Sequence, residues 1–145
     1  MLDGEGGLIG LADIQMPTKV HTAAAAECAT LAVTVMLFPA LPQIVTDCLS
    51  LVATARRGFP AATAAGRVLA GFWNMICGAV DGDSERLCRA LAWMPAHKSL
   101  AKALRAVKSN GEPVTRAQWR ATRLADAAAK GIARETIRAL SLIHI

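Results

Sequence analysis

Apolar positions recur along this chain with two different periods. Over residues 21–38, "HTAAAAECATLAVTVMLF", Ala24, Cys28, Leu31 and Val35 return at helical spacing, and Thr22 stands where an N-cap hydroxyl belongs. The pattern predicts a helix with one buried stripe. "PQIVTD" (residues 42–47) has the length of a strand and leads into a short helix through Arg56, which Gly58 and Pro60 punctuate. Residues 61–80 carry Val68, Leu69, Phe72, Trp73 and Ile76 and predict one long helix. "DGDSERL" begins like a calcium-binding loop but lacks the further ligands and distal glutamate, so it predicts a turn and a helix start. Two further strand candidates are "GLIGLADIQ" (residues 7–15), closed by Met16-Pro17, and "RALAWMP" (residues 89–95). After a polar loop with "SNGEP", a last helix spans about residues 114–134, and the tail "TIRALSLIHI" can extend it or pack separately.

The order is therefore strand, helix, strand, helix, helix, strand, helix. Such alternation predicts an α/β layer structure with helices on the faces of a sheet. In folds of that kind, polar residues at the carboxyl ends of strands line the site. Asp47 stands at such an end.

Composition narrows the picture. A chain of 145 residues suits one domain with a single core, and a content 54% hydrophobic but only 4% aromatic, rich in alanine, favours helices. Residues 28–46 contain no charge, nearly the length of a membrane span. Pro39 and Pro42 interrupt it, and a proline inside a helix costs about 3 kcal/mol, so two separate elements and no membrane partner are expected. The competing reading from another class is an Ala-rich helical protein that meets a membrane or a partner through residues 22–46. The opening "MLDGEGG" has no basic region of the kind that starts a signal peptide.

Net charge is +5 with a pI near 9.4, which implies an anionic partner, nucleic acid first. Cys28, Cys48, Cys77 and Cys88 form no C-x-x-C pair, and His21, His97 and His144 are scattered. Neither a disulfide framework nor a zinc site is expected, which suits a reducing compartment; the sequence does not report which, and an intracellular one, nuclear or cytoplasmic, is the expectation.

Three acids stand out. Glu27 lies in the first turns of a helix, where the helix dipole favours a carboxylate. Asp47 can cap the helix that follows it. Asp126 has Arg123 three residues before it and Lys130 four after, which suits a solvated ion-pair face.

Their order and setting carry more. "TAAAAECATLAV", "IVTDCLSLV", "LAWMPAHKS" and "WRATRLADAAAK" together resemble the ribonuclease H family, and the wording "VTDC" and "WMPAH" is closest to retroelement-type segments. The resemblance covers roughly residues 7–130. It implies a three-layer fold, a mixed β-sheet flanked by helices, over residues 1–135, with residues 136–145 as a tail. It also implies that Glu27, Asp47 and Asp126 match three of four metal-binding carboxylates, and that His97 matches a loop histidine that aids proton transfer or product release. The cofactor implied is Mg²⁺ in a two-metal site, with Mn²⁺ as a substitute, and the partner an RNA–DNA hybrid whose RNA strand is cut. Hard divalent cations require several oxygen ligands converging on one point. Arg56, Arg57, Arg67, Lys98, Lys102, Arg105 and Lys108 are candidates for contact with the nucleic-acid backbone, with a solvated surface as the alternative for each.

Two departures accompany the match. The family's first strand, with its catalytic aspartate, is missing or truncated here; Asp3 is the nearest replacement, and Asp13 has no supporting motif. Thr122 stands where the family usually has asparagine. A copy that keeps the fold without the cut, binding nucleic acid or acting as an interaction module, is the alternative function.

Overall fold

The helix expected around Glu27 forms over Ala23–Leu37 (α1), and Thr22 caps it, its Oγ1 accepting from the Ala25 N–H at 3.2 Å. The computed structural model describes residues 22–143, with side chains to Gly131. The strand expected over residues 7–15, with Asp3 and Asp13, lies outside the described residues. The buried stripe of α1 runs through Ala25, Cys28, Ala29, Leu31, Ala32 and Val35, while Ala24 is half-buried at its edge. No described helix is long and apolar enough to cross a membrane, and α1 ends before Pro39.

Beyond the prolines come β1 (Ile44–Thr46), α2 (Leu49–Arg57), α3 (Phe59–Ala62), α4 (Ala70–Ala79), α5 (Ser84–Ala90) and β2 (Leu91–Trp93). The strands pair in parallel, Ile44 with Leu91, Val45 with Ala92 and Thr46 with Trp93, so both carboxyl ends lie at one end of the sheet. A parallel pair needs a crossover, and α2 to α5 supply it. The chain is thus mixed α/β, strongly helical, with two strands among the described residues.

The long helix expected over residues 61–80 is two helices. α3 stops at Ala62, where the Thr63 hydroxyl donates to the Phe59 carbonyl at 2.8 Å. Gly66 then adopts φ +81°, a left-handed setting that no continuous helix accommodates. Val68 falls in the break, 94% exposed, whereas Trp73 and Ile76 on α4 are buried as expected. The "DGDSERL" segment is a turn, and the Asp83 carboxylate caps α5 by accepting from the Arg86 N–H at 2.8 Å.

Two compact units divide the described chain. The larger holds residues 22–95 and Val107–Glu112. Its core gathers Cys28, Leu31 and Val35 of α1, Leu51 and Val52 of α2, Trp73 and Ile76 of α4, and Leu87 and Leu91. The Val107–Glu112 loop covers the edge of β2 away from β1. There the Ser109 N–H donates to the Trp93 carbonyl at 3.0 Å, and the Trp93 N–H donates to Ser109 Oγ at 2.9 Å. Arg56 donates to the Ser109 carbonyl, and the buried Lys108 ammonium pairs with Glu112 at 2.8 Å.

The smaller unit holds Ala96–Ala106 and the chain from Pro113. It contains α6 (Leu100–Ala103) and α7 (Arg116–Ile143). The helix expected to about residue 134 thus continues through most of the tail.

Candidate functional site

Two elements of the larger unit bring the first acids together. Glu27 projects from the second turn of α1, and Asp47 follows the last residue of β1. Between them stands Thr46, whose hydroxyl donates to Glu27 Oε2 at 3.3 Å and accepts the Cys48 N–H at 3.0 Å. One hydroxyl therefore spans an acid and the turn that carries the other acid. Burial pushes the Glu27 carboxyl up, the Asp47 charge pushes it further, and the Thr46 hydrogen bond draws it back in part. Among the described residues, no lysine or arginine bonds to either carboxylate. Asp47 does not cap α2: the N-cap position is Cys48, and the Asp47 side chain is exposed.

Two carboxylates whose charges act on each other, with no lysine or arginine bonded to either, offer oxygen donors of the kind that a hard divalent cation takes. The pair fits Mg²⁺ in chemistry, while a full ligand set needs further groups. Among the described residues, no three histidine, cysteine, aspartate or glutamate side chains group to hold a metal ion.

Asp126 and His97 belong to the smaller unit. His97, exposed in the loop before α6, has φ +55°, a left-handed setting uncommon for a residue with a Cβ. Asp126 lies two turns along α7 from Trp119, and Lys130 Nζ donates to its Oδ2 at 2.7 Å. That bond is the main reason its carboxyl lies below the ordinary value, with Lys130, His97 and Arg123 adding attraction. The face-pairing arrangement legible in the sequence is thus formed.

Backbone-contact candidates divide in the same way. Arg56, Arg57, Arg67, Lys98, Lys102 and Arg105 are exposed, Arg56 also donating to the Ser109 carbonyl, whereas Lys108 is buried against Glu112. Cys28 is fully buried beside the pair, its thiol pushed up to about 12 by burial and then by Cys48. It is an inert core residue.

Sequence reasoning missed two contributors. Thr46 lies inside the "VTDC" stretch, but nothing there announces a hydroxyl bonded to a helix 19 residues earlier. Trp93 of the "RALAWMP" strand packs against the core, and its indole Nε1 also donates to the Asp47 carbonyl at 3.0 Å. Trp119 makes a similar bond, Nε1 to the Lys98 carbonyl at 2.9 Å, beside His97. Comparison with known proteins finds no match: no family, no curated protein and no solved structure.

Proposed function

We propose that the chain is a ribonuclease H-like domain that hydrolyses the RNA strand of an RNA–DNA hybrid with Mg²⁺, on a three-layer fold to whose mixed sheet β1 and β2 belong. The observation that carries this is the Glu27–Asp47 pair at the carboxyl end of a parallel strand pair, uncompensated by any cationic side chain among the described residues. Strand ends of that kind are where α/β folds bind ligands. The four motifs in order, and the basic charge of the chain, support the nucleic-acid substrate.

Glu27 and Asp47 would hold the ion, with Thr46 orienting the Glu27 carboxylate. Bound there, Mg²⁺ supplies positive charge opposite the charge that builds on phosphorus, and acidifies water for attack. The same resemblance matches Asp126 to a further carboxylate of the family and His97 to its proton-carrying loop histidine, both on the smaller unit. The exposed Arg57, Arg67, Lys98, Lys102 and Arg105 meet phosphates, which makes binding weaken with salt.

A second reading, the fold without the cut, is favoured by one observation: Lys130 already neutralises Asp126. Cleavage of an end-labelled RNA–DNA hybrid in Mg²⁺ separates the two. Loss of cleavage in Asp47→Asn supports the nuclease. Salt-dependent binding of the hybrid without cleavage supports the second reading.

A further inference from the structure

The turn that carries Asp47 is pinned from three sides. The Met94 N–H donates to the Thr46 carbonyl at 2.9 Å, and the Cys48 N–H donates to Thr46 Oγ1 at 3.0 Å. From the neighbouring strand, the Trp93 indole donates to the carbonyl of Asp47 itself at 3.0 Å.

The third bond is not required to satisfy the backbone. Asp47 is exposed, so water can serve its carbonyl. Water does not fix the peptide plane, however, and an indole does. The Trp93 ring is half-buried against the core, so packing sets the direction of its N–H. Its own N–H and carbonyl are bonded to Ser109, which holds β2 in place behind the ring. A rigid donor on a rigid strand therefore fixes the peptide of an exposed acid.

The geometry points to Trp93 as a positioning residue: its indole N–H fixes the Asp47 peptide so that the Asp47 and Glu27 carboxylates stay together for a divalent cation. The inference rests on the metal-dependent reading above. Trp93 itself touches neither substrate nor ion. Outer partners that orient ligands in this way typically cost about 10–100-fold in metal affinity or activity when removed.

The test removes only the N–H. Trp93 is replaced by 3-benzothienylalanine, which carries sulfur in place of the N–H in a ring of the same shape, and in parallel Trp93→Phe is made. The full chain is assayed for urea midpoint, for Mn²⁺ binding without substrate by electron paramagnetic resonance, and for kcat and KM on the hybrid. The expected result is a fall of about 10-fold or more in Mn²⁺ affinity and in kcat, with KM for the hybrid unchanged. A residue that merely fills the core lowers the urea midpoint and leaves the Mn²⁺ affinity of the folded chain alone; that result in the sulfur variant overturns the inference. Where Trp93→Phe fails to fold, the sulfur variant decides. If the parent binds Mn²⁺ and Asp47→Asn does not, an unchanged sulfur variant overturns the positioning role alone. If parent and Asp47→Asn bind Mn²⁺ alike, the carboxylate pair is no metal site, and both readings fall.

Discussion

Glu27 and Asp126 are both carboxylates on helices, and their surroundings push them in opposite directions. Glu27 is half-buried beside a second acid, and its proton is held more tightly than in an ordinary glutamate. Asp126 faces Lys130 on its own helix, and its proton is held less tightly. The second arrangement stabilises a surface helix at little cost. The first is unfavourable by itself, and strongly perturbed carboxyls of that kind cluster at functional sites. Electrostatics therefore sets Glu27, beside Asp47, apart from Asp126, and experiment decides which of these acids act.

The comparison can be broken most decisively by removing acids one at a time. Asp47→Asn is expected to lower Mg²⁺-dependent cleavage by roughly a thousandfold, the rate equivalent of the several kcal/mol that metal charge supplies, and chelation with EDTA to abolish it. Single-turnover cleavage gives both numbers. Asp126→Asn in the same assay should fall comparably; retained activity would leave Asp126 a structural ion-pair partner. The scaffold behind the acids comes next. Ile76→Ala, at a fully buried site on α4, should cost about 2–5 kcal/mol in urea unfolding.

A smaller effect has a diagnostic sign. Because the folded state raises the Glu27 pKa, its contribution to stability is present below the ordinary glutamate range and lost as pH rises through the folded value. Glu27→Gln should therefore stabilise the chain at neutral pH, by less than about 1 kcal/mol, and the gain should vanish at acid pH. Urea midpoints at the two pH values test this, while cleavage should fall. Smallest is Lys130→Met, which returns the Asp126 carboxyl toward its ordinary value. A carboxyl NMR titration reads that shift, with no change expected in the larger unit.

Much of the frame was legible in the sequence because it is local. Thr22 announces its helix through a hydroxyl three residues from the N–H it accepts, and Asp83 does the same. The apolar stripe Cys28, Leu31, Val35 follows from helical period alone. Both described strands were visible as short apolar runs. The break between α3 and α4 was not, since apolar residues continue through it and only the backbone at Gly66 shows why the helix stops. Within the site, residue types were readable and relations were not. Thr46 and Trp93 act through bonds to groups 19 and 46 residues away, which no period in the chain encodes. The burial of Lys108 was equally hidden, because its pairing with Glu112 depends on a loop that folds back on β2.

That loop has one more consequence. A parallel strand with a bare edge is a template on which another chain can assemble. Ser109 occupies both outward-facing backbone groups of Trp93, and the Lys108–Glu112 pair and Arg56 hold it there. β2 is thereby closed to recruitment. Among the described residues, the loop thus completes the hydrogen bonding of the strand residue whose indole holds the Asp47 carbonyl, so the edge that would invite another chain instead braces the turn that carries the acid.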